Sequence, residues 1–420
     1  MGAARAPRST SRPAATPIAR SQPRSPIALN AALPQQPAPV GGCSNPHPAS
    51  HSLPKSPTPI LDRNVARALP RVITGLAEDF PPDAVERQLP DVDSARKLVL
   101  ERRPDVPHLL RRRRAIYHDV YGADAQSYLD RAENAVLLGI ARLGLRHGTF
   151  GDDFHDYHNE DHALEILDRR LGRVLGQEGV VALPGRDWLA LSLFATCHDL
   201  RQREDTNYRH GIGSNEAASM AETHRILVAA GFDPATDRDL FVALEVMIAG
   251  STFDASPRPQ RFNPAEALTT GGPLAPHLQT ALASAMPGWR DDPMVVRAVE
   301  LAQIASDLDT ANVGERFAEF AASAARLAAE REMRSGRALD GVDSGMPVLK
   351  FLTDGQERYF FDLHRFCSPL GAAVFAQGKE VNAPRVRSLS KLLRERFGDR
   401  ADGCTGGEVL KAHLELAETV

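Results

Sequence analysis

The chain has 420 residues, enough to bury the core of one large domain or two smaller ones, and an ordinary composition for a protein in water. No apolar run approaches the roughly eighteen residues that cross a bilayer, and the start lacks the apolar stretch of a secretory signal, so no membrane partner and a cytoplasmic location are expected. The net charge is −4, but residues 1–61 hold five arginines, Lys55 and no acid; those six positive charges leave −10 on the remainder, a poor general surface for nucleic acid.

The basic segment 1–60, rich in Pro, Ala and Ser, has too little apolar surface to order itself and is expected to be disordered. A transit peptide shares its acid-poor composition, but the prolines oppose the amphipathic helix such peptides form. From about Leu61 the pattern turns helical, through "NVARALPRVITGLAEDF" and "DSARKLVLERR", giving an N-terminal arm over 61–125. Arg111 to Arg114 fall on every side of the next helix, so they cannot all line one site, and they read as solvated surface.

The principal domain is expected over 126–370. "SYLDRAENAVLLGIARLGL" predicts an apolar helix ending near Gly144, and "EDHALEILDRRLGRVLG" another ending at Gly176. "DWLALSLFATCHDL" is almost wholly apolar up to Cys197 and reads as a buried helix. "SNEAASMAETHRILVAAG" and "RDLFVALEVMIAG" continue the series, a Pro- and Gly-rich loop follows over 256–276, and helices resume with "PMVVRAVELAQIASDLDTA", "RFAEFAASAARLAAEREMR" and "GQERYFFDLHRF". A helical extension over 371–420 completes the chain. Few segments alternate with a period of two, so the expected fold is all-α, an irregular helical bundle. Cys43, Cys197, Cys367 and Cys404 form no CxxC pair, which argues against a zinc knuckle or a disulfide framework.

Chemistry concentrates in three places. "DYHNEDHALEILD" carries His158 and His162 four residues apart, with His155 just upstream, so that all three can share a helix face. His198 and Asp199 end an otherwise apolar helix, where burying an imidazole beside a carboxylate is costly unless each is paired; a divalent cation pairs both. Asp307 and Asp309 interrupt another apolar helix. If His162, His198, Asp199 and Asp307 meet, they form a mixed nitrogen and oxygen ligand set suited to Zn, Mn, Fe, Co or Mg.

This ordered pattern resembles the HD superfamily of metal-dependent phosphohydrolases, and more finely the cyclic-nucleotide phosphodiesterases. The matching elements are Tyr157-His158-Asn159-x-x-His162, His198-Asp199 and Ser306-Asp307-Leu308, all within about 126–370. The resemblance implies an HD-type bundle binding one or two divalent metal ions. Asp199 would bridge the two metals, a bridging hydroxide would attack phosphorus, and His158 would protonate the leaving oxygen. Tyr157, Asn159, Gln202, Asn215, Glu216 and Asp309 are expected around the ligands, with Asp309 also an alternative ligand to Asp307. His155 matches nothing in the family element and is expected on the surface or behind the ligands.

The chain departs from the family pattern in places. Gln202 stands where the phosphodiesterases have a further His after the HD pair. Asn215, Glu216 and Thr252 lie near positions where other HD proteins carry extra ligands. Gln356 with Tyr359 or Phe360 resembles the family's base-gripping Gln and aromatic, although the downstream spacing differs. A second HD pair, His118 and Asp119, lacks a preceding His cluster and reads as polar residues at a helix end. The expected function is hydrolysis of a small, nucleotide-like phosphate ester, as a phosphodiesterase. A nucleotide phosphomonoesterase using the same site, or a non-catalytic binding protein clamped by the metal, are the alternatives.

Overall fold

A computed structural model describes residues 80–122, 126–175, 183–202, 214–254, 272–285 and 287–420. The basic segment 1–60, most of the helical stretch 64–80 and most of the loop expected over 256–276 lie outside the described residues. The described residues all belong to one compact unit.

The described chain is all-α. Helices α1 (Ala84–Gln88), α2 (Val92–Arg102) and α3 (Asp105–Tyr121) form the N-terminal arm. Asp83 and Asp91 start α1 and α2 by accepting the backbone N–H groups of Glu86 and Ser94. Helix α4 (Gln126–His147) runs three residues beyond Gly144, because its apolar face stays buried to its last turn. Helix α5 begins as Glu160–Leu164, widens to a π-helix over Glu165–Arg170 and closes over Leu171–Leu175.

Next come α6 (Gly185–Cys197), α7 (Ser214–Ala229) and α8 (Arg238–Ser251), then a two-residue ribbon in which β1 (Phe253–Asp254) pairs antiparallel with β2 (Gly272–Pro273). Helices α9 (Leu278–Ala285), α10 (Pro293–Asp309) and α11 (Phe317–Arg334) follow. Helix α12 starts as Gly345–Lys350 and continues through π segments Phe351–Gly355 and Arg358–Leu363. Helices α13 (Pro369–Phe397) and α14 (Gly406–Ala417) end the chain. The boundary expected at 370/371 thus falls inside the first turn of α13, which Ser368 caps and Pro369 opens.

Two cores carry the fold. The larger joins α2 to α10 around Leu138, Phe194, Phe241 and Met247, with α8 lying along α10 and α4 along α6. Gly139 permits the last of these contacts, since a Cβ there would sit 3.0 Å from the Thr196 carbonyl oxygen. The smaller core joins α11 to α14 around Phe320, Leu352, Phe360 and Leu393. Glu86 ties the arm to the body by bonding Arg142, Arg201 and Arg225. The arginine run is not uniform surface: Arg113 is buried, donating to the Leu167 carbonyl and the Ser192 hydroxyl with its guanidinium over Trp188, whereas Arg112 and Arg114 pair with Asp168 and with Glu133. No helix among the described residues is long and apolar enough to cross a membrane.

Candidate metal centre

Local backbone chemistry places the first histidine. The Asn159 carbonyl oxygen accepts the N–H groups of Asp161 (2.9 Å) and His162 (3.3 Å), while its amide donates to the His155 carbonyl at 2.6 Å. Asn159 therefore caps α5, locks the preceding loop and sets His162 on the first turn, buried beneath the Tyr157 ring at 4.6 Å. His198 and Asp199 come from the end of α6. His198 Nδ1 lies 3.1 Å from the Phe194 carbonyl and its ring stacks on Phe194. A carbonyl only accepts, so the ring proton sits on Nδ1 and the Nε2 lone pair faces inward.

Helix α10 supplies its carboxylate from Asp309, not from Asp307. Residues two apart on a helix are about 200° apart around its axis, so only one of them can face the histidines. Asp307 points the other way, to the start of α13, where it accepts from the backbone N–H groups of Cys367 and Ser368 (both 2.8 Å) and from the Ser368 hydroxyl (2.6 Å). Gly371 allows that approach, because a Cβ there would lie 2.2 Å from an Asp307 oxygen. The expectation of Asp307 as ligand is corrected accordingly. Arg170, buried in α5, donates to the Leu308 and Asp309 carbonyls (3.1 and 2.6 Å) and fixes the end of α10.

Four side chains then converge. His198 Nε2 is 2.9 Å from Asp199 Oδ2 and 3.5 Å from Asp309 Oδ1, and His162 Nε2 is 3.1 Å from Asp309 Oδ1 and 3.7 Å from Asp199 Oδ2. Ligands about 2.0–2.2 Å from a tetrahedral cation lie about 3.3–3.6 Å apart; the ligand atoms of His162, His198 and Asp309 all lie within 4.8 Å of one another, within reach of one ion, and Asp199 stands beside them. His198 Nε2 is buried and makes no hydrogen bond. The residues present therefore fit a divalent metal.

Burial disfavours charge at every member of this group, and the neighbours decide the outcome. At Asp199 the His198 and His158 imidazoles overcome burial and draw the carboxyl down to about 2, and at Asp309 the two imidazoles draw it well below the usual range. His198 rises well above an ordinary histidine because both carboxylates outweigh burial, whereas burial prevails at His162, which is lowered. A proton on His198 and a divalent cation are alternative answers to the same pair of carboxylates.

His158 stands beside this group. Its Nδ1 lies 2.6 Å from Glu330 Oε1, and Glu330 Oε2 accepts the N–H groups of Tyr157 (3.0 Å) and His158 (2.8 Å). Burial opposes the imidazolium, but Glu330 and then Asp199 override it, so His158 titrates above the ordinary histidine value. His155 is fully buried and not at the surface; its ring lies tilted against that of His147, the centroids 4.1 Å apart, and its Nδ1 is 3.5 Å from Glu330. With Asp153, these two histidines make a second cluster, Asp153 Oδ2 lying 3.4 Å from His155 Nε2 and 3.8 Å from His147 Nδ1. His147 Nε2 accepts the Gln202 backbone N–H at 3.4 Å, which puts the neutral ring's proton on Nδ1, facing Asp153.

A cavity of about 730 Å³ opens over the first cluster. Gln202 donates to Asp199 (2.5 Å) and accepts from Asn215 (2.9 Å), so both sit directly behind the centre. Glu216 also faces the cavity, and burial, with help from Asp199, raises its carboxyl to about 7. Gln356 and Tyr359 line the same cavity; Phe360 does not, being packed in the second core against Phe320 and Phe361. Thr252 is buried, with its carbonyl accepting from Leu274. His118, near the end of α3, has its Nδ1 3.3 Å from the Gly122 carbonyl.

Sequence reasoning missed Glu330, the cavity arginines and the His147–Asp153 pair. Glu330 sits in "RLAAEREMR", where it looks like any exposed charge, and nothing in that pattern marks it as the residue that turns inward. No family model matches this chain, and no curated protein and no solved structure matches it either.

Proposed function

We propose that the protein is a metal-dependent hydrolase of small phosphate esters of the HD type, with a nucleotide-like substrate and phosphodiester cleavage as its reaction. The observation that carries this reading is the convergence of His162, His198, Asp199 and Asp309, with His158 held beside them by Glu330 at the floor of an open cavity. A divalent cation bound there would neutralise charge on phosphoryl oxygens and make water a better nucleophile.

The chain's own residues supply the rest. His162 and His198 would hold the cation through their Nε2 atoms, the latter with its Nδ1 proton anchored on the Phe194 carbonyl. Asp199 and Asp309 would hold it through oxygen, Asp199 kept in place by Gln202. His158 keeps a proton because Glu330 stabilises its imidazolium, so it can protonate a leaving oxygen. A metal held only as a structural clamp would have no use for such a histidine.

The test is turnover of bis(p-nitrophenyl) phosphate and of cyclic mononucleotides with Mn²⁺ or Mg²⁺, by wild type and His158→Ala, beside metal analysis of both. The expected outcome is a kcat loss of about 10²–10⁴ in His158→Ala with metal content unchanged. Equal turnover by the variant, or no hydrolysis by metal-loaded wild type, would sink the reading.

A further inference from the structure

The cavity is lined by charges of both signs. Asp199, Glu216 and Asp309 lie on the walls given by α6, α7 and α10, whereas Arg331, Arg334 and Arg358 lie on those given by α11 and α12. We propose that the arginine end is a subsite for a second anionic group, so that the ligand is a nucleotide-like ester carrying a phosphate besides the one at the metal end. The nature of that first phosphate rests on the proposed function; the subsite itself does not.

Arg331 carries the argument. Its guanidinium lies over the Phe351 ring at 4.3 Å, and among the described residues no carboxylate comes within 4.0 Å of it. An arginine stacked on an aromatic face keeps its N–H edge free for a planar fork of hydrogen bonds, the geometry that matches a phosphate. Arg331 is exposed on the cavity side of α11, where a ligand entering the cavity can reach it.

Arg334 follows Arg331 by three residues, on the same face of α11. Its Nη1 is 3.8 Å from Glu330. Gln356, Phe351 and Tyr359 share the cavity with these arginines and offer a flat, partly polar wall for a ring. The volume is within the ~300–1,000 Å³ of small-molecule sites and has room for a nucleotide with more than one phosphate. A site for a singly charged ester would need only the metal end.

The experiment is calorimetric binding of thymidine 5′-monophosphate and thymidine 3′,5′-bisphosphate to the full chain with Mn²⁺, in wild type, Arg331→Ala and Arg331→Lys. In wild type the added phosphate is expected to tighten Kd by about tenfold or more, the scale of one charge-assisted forked contact. Arg331→Ala should erase that gain and Arg331→Lys should keep part of it. Equal affinity of wild type for the two nucleotides, no binding of the bisphosphate, or a full gain in Arg331→Ala would overturn the subsite. Binding requires no turnover, so the two readings fail separately. Absence of hydrolysis with the gain intact removes the hydrolase alone, and hydrolysis without the gain removes the subsite alone.

Discussion

Two clusters of histidine and aspartate lie on either side of Glu330, and they differ in where their protons sit. In the first, the Phe194 carbonyl takes the Nδ1 proton of His198, so a lone pair is presented to Asp199 and Asp309. In the second, the Gln202 amide occupies Nε2 of His147, so an N–H is presented to Asp153. Both groups contain two imidazoles and at least one carboxylate within a cation's reach. Proximity therefore does not make a metal site. At His198 and His147 the backbone group on the far side of the ring decides whether the near side can donate electrons to a cation.

The largest expected effect tests that difference directly. Asp309→Asn should lose bound metal, and with it any hydrolysis, whereas His155→Ala should keep the metal content of wild type by elemental analysis. The reverse pattern would make the second cluster the true centre and break the comparison.

A smaller effect separates the two aspartates of α10. Asp307→Asn should retain the metal but lose about 1–3 kcal/mol of stability in denaturant unfolding, because the replacement puts a donor among the buried N–H groups of Cys367 and Ser368. Metal loss in Asp307→Asn with unchanged stability would return Asp307 to the centre.

The smallest effect is a pH response of opposite sign at His158 and at His147. His158 titrates above the ordinary histidine value, so the stability it contributes is whole below about pH 6.5 and fades as pH rises through its folded value. His147 is held well below the ordinary value, by burial first and then by the nearby His155. It must take up a proton on unfolding in acid, so its cluster loses stability as pH falls below about 6.5. Melting temperatures across pH should show the acid-side loss diminished in His147→Phe and the alkaline-side fade diminished in Glu330→Gln. Unchanged pH profiles in both variants would deny the histidines these opposed roles.

Much of this was legible in the order of residues. Apolar periodicity predicted helices now seen as α4, α6, α8, α10 and α11, because a helix buried on one face must repeat near 3.6 residues. His162, His198 and Asp199 were legible because polar groups that interrupt buried helices need a partner. Asp307 and Asp309 could not be separated, since both interrupt the same apolar pattern and the choice depends on which neighbour each faces. Phe360 was misplaced for the same reason: aromatic residues adjacent in a helix face different ways, and packing against Phe320 turned Phe360 into the second core.

The sequence by itself determined that the chain is helical and that His158, His162, His198 and Asp199 have to be explained together, because periodicity and the cost of buried charge are local properties. The tertiary structure decided the remainder: which aspartate of α10 faces the histidines, that Glu330 serves His158, and that three arginines line the same cavity. Those choices depend on the direction a side chain takes from its helix toward another element, and a linear order of residues carries no direction until the helices pack.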